Sequence, residues 1–339
     1  MNDMTVKQAI TMDDVARLAK VSKPTVSRAL SGSPLVKQDT KDHVLSVARK
    51  HGYVVNRNAQ KLRHKRTNTI AVSLDFRSHQ QNHISDPFIF DLLAGVSEAL
   101  GERSQDLLLC APNHNDVDSF RHILSSRGAD GLIVLGQGHR EVMLGELAQS
   151  GVPFVVWGAG NSETPYCVVG SDNALGGMLA GRYILEQGRR NLLFVGDISF
   201  REIYQRRAGL QQAVKDAGRN VSFHDVVLNS FSYESAFNAA TGFLAASREP
   251  PDAVFAFSDT AAMAFIRAFR AGGLDVPRQV TVVGYNDIPS AAYFSPPLTT
   301  IRQDINQAGK LLVSNLIQML DGLPVESATI RTELIVRGT

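Results

Sequence analysis

Residues 11–32 read TMDDVARLAKVSKPTVSRALSG, two short amphipathic segments separated by one break. Thr11 and Asp14 have the T-x-x-D spacing of a capping box, in which a hydroxyl and a carboxylate satisfy the unpaired amides of a helix's first turn. The spacing predicts a helix over about residues 12–19, with Val15, Leu18 and Ala19 at i, i+3 and i+4 on its inward side. After Lys20 and Val21, Ser22 caps a second helix. Pro24 is tolerated early in that helix, because first-turn amides have no partner within the helix. Val26 and Leu30 face inward, and Lys23, Thr25, Ser27 and Arg28 fill the polar side.

Two short helices joined by so tight a turn form a helix-turn-helix. The second suits the major groove: arginine reads guanine through two hydrogen bonds, hydroxyls take phosphates or base edges, and the helix N-terminus favours phosphate. An amphipathic surface hairpin is the alternative, and the following segments argue against it. A third helix is expected over about residues 39–51, with Val44, Val47 and Ala48 apolar and Gly52 as its stop. Residues 52–72, GYVVNRNAQKLRHKRTNTIAV, then place Leu62 among Lys61, Arg63, His64, Lys65 and Arg66. A lone leucine in a basic stretch is either a weak core contact or an apolar wedge for the minor groove.

Charge divides along the chain in the same place. Residues 1–66 hold 14 Lys/Arg against 5 Asp/Glu, which leaves 21 against 28 for the remainder, so a net charge of +2 conceals a basic head and an acidic body. A basic head points to a polyanion. With 339 residues, 44% of them hydrophobic, there is room for two or three domains. No uncharged apolar run approaches the roughly 18 residues of a membrane span. The opening MNDMTVKQAITMDD carries acids where a signal peptide needs an apolar stretch, so a cytoplasmic location is expected. Cys110 and Cys167 lie in apolar segments without ligand spacing and read as buried thiols. Gly136-x-Gly138 lacks the third glycine of a dinucleotide fingerprint, and no P-loop, G-x-S-x-G or H-E-x-x-H occurs. No catalytic residue, cofactor or metal is therefore expected, and His114, His122 and His139 read as surface residues.

From Thr69 onward, short β-rich runs (TIAVSL, DLLLC, GLIVLG, PFVVWG, NLLFVG, AVFAFS and TVVGYN) alternate with helical patterns such as FIFDLLAGVSEALGER and TAAMAFIRAFRAG. This alternation predicts parallel sheets covered by helices. Some 270 residues exceed one ordinary doubly wound sheet, so two Rossmann-like subdomains with a cleft between them are expected. Ligands bind beyond the carboxyl ends of such strands. That draws attention to Trp157, Asp172, Asp197, Ser258, Asp259, Asn286 and Asp287, although for Asp197 and Asp259 a helix N-cap is an equal reading. Trp157, the one tryptophan, reads either as core or as a plate for a sugar ring.

TMDDVARLAKVSKPTVSRALSG followed by GYVVNRNAQKL resembles the DNA-binding head and hinge of the LacI/GalR family of bacterial transcription regulators. The resemblance continues through DPFIFDLLAGVSEAL, GADGLIVLG, VGSDNALGGMLAGRYILEQGRRNLLFVG, YQRRAGLQQAV, FSDTAAMAFIRAFRAGGLDVPRQVTVVGYNDI and SPPLTTIRQD. It implies α/β architecture: a three-helix helix-turn-helix head (residues 1–55), a hinge helix and linker (56–67), and a periplasmic-binding-protein-like body (68–339). The body's lobes are expected at about 68–171 with 302–325 and 172–301 with 326–339. The resemblance makes Lys23 and Pro24 the base-reading pair, Arg28 the recognition arginine, Asn56 and Arg57 hinge contacts and Leu62 the wedge, with Thr11, Ser22, Thr25 and Ser27 at the DNA face. In the body it implies an effector site from Asp86, Phe88, Trp157, Asp172, Arg206, Phe231, Asp259 and Asn286, with Arg206 as anchor. Asn286 stands where many sugar-binding relatives have aspartate, Gly158 where some are acidic, Val55 where some have proline, and Lys37 where a serine cap usually opens the third helix.

These readings together predict a homodimeric regulator, a repressor of carbohydrate-utilisation genes, that binds double-stranded operator DNA under control of a small effector, a neutral sugar. No leucine heptad follows residue 321, so no tetramerising tail is expected. The rival is a sugar-binding or sugar-modifying protein on the same two lobes. It needs a signal peptide or a catalytic pair, and neither is legible.

Overall fold

The computed structural model describes residues 10–31, 33–53, 66–74, 86–111, 116–247 and 249–339. The chain forms two compact units, residues 1–65 and 66–339. Asn56, Arg57, Leu62 and Lys65, with the expected hinge helix, lie outside the described residues, as does His114.

In the first unit, helices α1 (Met12–Leu18), α2 (Lys23–Leu30) and α3 (Gln38–Lys50) enclose Val15, Ala16, Ala19, Val26, Ala29, Val44 and Ala48. Both arms of the capping box form: the Asp14 amide donates to Thr11 Oγ1 at 3.3 Å, and the Thr11 amide donates to Asp14 Oδ2 at 3.1 Å. Lys20 turns the chain with φ of +54°. Ser22 then accepts from the Thr25 amide. Lys37 opens α3 without a side-chain cap. Gly52, at φ +66°, ends it and lets the Tyr53 amide donate to the Ala48 carbonyl. Leu18 corrects the predicted stripe. It is 42% exposed, and Ala16 takes the inward place with Val15 and Ala19 in the head's core.

The second unit holds two six-stranded sheets. The first runs β11 (Ala328–Ile330), β5 (Cys167–Ser171), β4 (Phe154–Trp157), β3 (Gly131–Leu135), β1 (Thr69–Leu74), β2 (Asp106–Leu109), all parallel. The second runs β12 (Glu333–Ile335), β10 (Thr299–Arg302), β9 (Thr281–Asn286), β8 (Ala253–Ala256), β6 (Asn191–Val195), β7 (Ser222–Val226), with only β12 antiparallel to its neighbour. Every β-rich run named above is a strand, and the central ones are wholly buried, as parallel strands covered on both faces must be. Two expected boundaries move. Residues 328–330 belong to the first lobe, because Ala328 and Ile330 register with Val169 and Ser171. Thr67, expected in the linker, belongs with Asn68 to the body, because Asp130 accepts from both amides. Cys110 and Cys167 are free and buried.

The remaining helices are α4 (Pro87–Gly101), α5 (Val117–Ser125), α6 (Glu141–Gln149), α7 (Asn173–Glu186), α8 (Arg201–Ala217), α9 (Tyr233–Ala246), α10 (Asp259–Ala271), α11 (Pro289–Tyr293) and α12 (Ile305–Leu320). Two crossings are backbone to backbone. A Cβ at Gly177 of α7 would stand 1.8 Å from the Arg206 carbonyl oxygen, and one at Gly209 of α8 would stand 2.0 Å from that of Ala174. Only glycine allows helices this close. Their proximity brings the Arg206 side chain to the start of α7. Gly95 and Gly309 join α4 to α12 in the same way.

Candidate functional site

On the head, Lys23, Pro24 and Arg28 are exposed and Thr25 and Ser27 half-buried along one side of α2. Lys23 Nζ pairs with Asp13 Oδ2 at 2.7 Å. Thr11 and Ser22 spend their hydroxyls on helix caps, so their contribution is to aim the two helices.

In the body, a cleft between the lobes brings together Asp86, Phe88, Trp157, Arg206, Phe231 and Asn286, six of the eight residues expected at an effector site. Each lobe supplies an aromatic wall. Phe88 and Trp157, with ring centres 6.2 Å apart, come from the first lobe; Phe200, Phe231 and Phe257 form a row in the second, at 4.8 and 4.7 Å. Trp157 is only 7% exposed and serves as core and cleft wall at once.

The polar groups cross the cleft. Asp86 caps α4 by accepting from the Phe88 amide, and its other oxygen accepts from Asn286 Nδ2 at 3.3 Å. Asn286 Oδ1 in turn accepts from Gln303 Nε2 at 2.7 Å. Burial pushes the Asp86 carboxyl up to about 6, against the lowering influence of the Phe88 amide and the Arg206 charge. Asn286 and Asp287 hold φ of +112° and +56° at the end of β9, a strained turn of the kind found at binding sites. Arg206 is buried, donating through Nε to Asn173 Oδ1 at 2.9 Å and through Nη1 to the Phe257 carbonyl, with its guanidinium 3.6 Å from the centre of the Tyr285 ring. At the mouth, Arg201 of one lobe pairs with Glu141 of the other at 2.8 Å, and the exposed His139 ring lies 4.2 Å from Phe200.

Two expected residues stand elsewhere. Asp172 caps α7 through the Leu175 amide and lines a neighbouring cavity instead of the cleft. Asp259 is fully buried in the first turn of α10. Its oxygens accept from the Thr300 hydroxyl and the Ile288 amide, and burial holds its carboxyl well above the usual range. It braces the β9 end and has no face toward the cleft. Of the other strand-end residues, Asp197 folds back on Ser199, Ser258 caps α10 and Asp287 takes Arg302 and Arg337. Conversely, Ser171, Asn173, Phe200, Glu202, Phe257 and Gln303 line the cleft without having been singled out. Phe257 directly precedes Ser258 in AVFAFS, and pleat parity at that strand end was the available signal.

Among the described residues, no group of three or more His, Cys, Asp or Glu could hold a metal ion, and no helix is long and apolar enough to cross a membrane.

A helix-turn-helix head and a two-lobed body with a cleft between its lobes are the architecture of a transcriptional regulator. The family of bacterial regulatory proteins of the lacI type matches residues 11–56, and a periplasmic binding protein-like domain matches residues 182–339. The transcriptional regulator CelR of Thermobifida fusca is 32% identical over 336 residues, 96% of this chain and 97% of its own. The transcriptional repressor PurR of Photobacterium profundum is 31% identical over 315 residues, 91% of each chain. Among solved structures, the lac repressor dimer bound to operator and the anti-inducer ONPF superposes with a TM-score of 0.80 at 24% identity, covering 98% of this chain and 99% of that one. The complex of CelR with cellobiose superposes with a TM-score of 0.66 at 30% identity, covering 97% and 99%. The chain belongs to the lacI family and is a DNA-binding transcriptional regulator. These relatives are regulators of transcription, where the rival reading called for a sugar-binding or sugar-modifying protein.

Proposed function

We propose that the protein is a cytoplasmic, homodimeric repressor of carbohydrate-utilisation genes whose operator affinity is set by a neutral sugar held between the two lobes. The observation that carries this reading is the pair of aromatic walls with a ring of amides between them. Aromatic faces cover the apolar face of a pyranose, while Asp86, Asn286 and Gln303 suit its hydroxyls. Arg206 is the one cation among the described lining residues, set against Asp86 and Glu202. That balance disfavours a sugar phosphate. The sugar bound in the 30%-identical CelR complex supports the same ligand class. A ligand touching both lobes favours whichever lobe arrangement it fits better, and a DNA-competent state is thereby populated or depleted. In the head, Arg28 reads a base, Lys23 and Pro24 adjust the choice, and two heads on one dimer read two half-sites.

The test starts with duplex DNA selected by the protein from a random pool, followed by binding at two salt concentrations with and without each member of a sugar panel. Affinity should fall steeply with salt. Arg28→Ala should weaken the selected duplex by about 1–3 kcal/mol and leave a scrambled duplex nearly unchanged. Equal loss on both duplexes would remove Arg28 from base reading, and absence of any sugar effect on melting or DNA affinity would remove the proposed ligand class.

A further inference from the structure

The cleft has a neighbour. A second cavity lies behind Gly158, Ser171 and Asn173, three residues that also line the cleft, so the two spaces share one wall. Its other sides include Asn161, Asp172, Gln205, Ser327 and Thr329. Among its described lining residues there is neither an aromatic ring nor a cation, so its chemistry is that of amides, hydroxyls and one carboxylate.

The shared wall carries an unexplained group. Ser171 is 7% exposed and its hydroxyl has no hydrogen-bond partner among the described residues. A hydroxyl withdrawn from water without a partner is destabilising, so its presence calls for a reason. Asn173 beside it cannot supply the missing bond. Its Nδ2 donates to the Ser171 carbonyl and, at 3.5 Å, to Gln205 Oε1, and its Oδ1 accepts from Arg206 Nε and the Tyr285 hydroxyl. Gly158, on the same wall, packs its backbone directly on Gln137. A Cβ there would stand 2.7 Å from Gln137 Oε1, which already accepts from the Ala159 amide.

We propose that cleft and cavity form one two-chambered effector site, which takes a sugar of two units, one ring between the aromatic walls and a second, hydrophilic unit beside Asn161, Gln205 and Thr329. The Ser171 hydroxyl bonds the ligand at the neck, and Asp172 contributes from the second chamber. This inference rests on the reading of the cleft as a neutral-sugar site.

The experiment uses the full chain and calorimetric titration with D-glucose, D-galactose, D-mannose and D-xylose, each beside its α-1,4- and β-1,4-linked dimer. One dimer should bind at least about ten-fold tighter than its own monosaccharide. Ser171→Ala, which deletes the unpartnered hydroxyl, should keep or raise the melting temperature of the ligand-free protein and weaken that dimer about five- to ten-fold. Thr329→Trp, at an exposed strand position, fills the second chamber and should bring the dimer down to the affinity of the monosaccharide. A monosaccharide that binds as tightly as its dimer, or a dimer indifferent to both variants, overturns the two-chambered site and leaves a single-chamber sugar site standing. If neither length of any sugar binds while DNA binding is intact, the sugar reading itself falls and this inference falls with it.

Discussion

Arg206 ties together three elements that carry the cleft, and replacing it with methionine separates its structural work from its recognition work. The side chain bonds Asn173 at the start of α7 and the Phe257 carbonyl just beyond β8, and it lies on the Tyr285 ring of β9. Arg206→Met keeps the length and much of the volume but deletes both donors. Asn173 Oδ1 retains only the 3.3 Å bond from the Tyr285 hydroxyl, and the Phe257 carbonyl loses this partner. An orphaned buried acceptor costs about 1–3 kcal/mol, and a desolvated cation–π contact contributes about 2 kcal/mol. Relief of the arginine's own desolvation and water entering from the cleft offset part of this. The net loss should be about 2–4 kcal/mol. In a unit of this size that lowers the melting temperature by roughly 3–8 °C. Scanning calorimetry reads that shift, and repeating the scan with sugar should show no ligand-induced rise. DNA affinity measured well below the transition should match the parent, because the head is a separate unit with its own core. A melting temperature within one degree of the parent would refute the claim that this guanidinium knits the lobe together. Loss of DNA binding by a folded variant would refute its assignment to effector recognition.

Asp86, raised from 3.8 to about 6, binds its proton more tightly folded than unfolded, so its contribution is fully present below pH 4 and is lost as pH rises through 6. Asp86→Asn should therefore flatten the decline in stability between pH 4 and 6 and stabilise the protein at pH 7 by up to about 3 kcal/mol; a pH profile of urea midpoints parallel to the parent's would contradict this. Gly177→Ala forces a methyl group onto the Arg206 carbonyl between two fixed helices, and should lower stability by more than about 3 kcal/mol or abolish soluble expression. Thr11→Ala removes the cap of α1 and should cost about 0.5–2 kcal/mol in the melting of the head, whereas Leu18→Ser, at a 42% exposed site, should stay within about 0.5 kcal/mol. Equal losses at the two positions would mean that Leu18 packs against something.

The head was legible because its signals are local. A capping box, a serine cap, an early proline and a helix-ending glycine each act within four residues, and that is also the reach of the backbone bonds they control. The hydrophobic runs of the central strands were legible for a similar reason, since a strand buried on both faces must be apolar throughout, whereas DLLL at the sheet edge is apolar while Leu108 and Leu109 stay exposed. Pairing was not. Ala328–Ile330 is three residues long, and nothing in ATI says which sheet it joins until Ser171 lies beside Ile330.

The cleft was half legible. Being near the end of a strand marked Trp157 and Asn286, but whether a side chain turns into the cleft depends on pleat parity and on which backbone amide stands nearby. Asp259 was drawn inward by the Ile288 amide and the Thr300 hydroxyl, and Asp172 was spent on its own helix. Gln303 entered the site only because the lobes meet, joining Asp86 to Asn286 across 200 positions of chain, and Asn173 entered through the close helix crossing at Gly177 and Gly209 that brings Arg206 to it. A sequence read along its length carries the short-range hydrogen bonds that shape helices and strands, whereas the contacts that choose a binding residue are made between segments whose distance in space is set by the packing of everything between them.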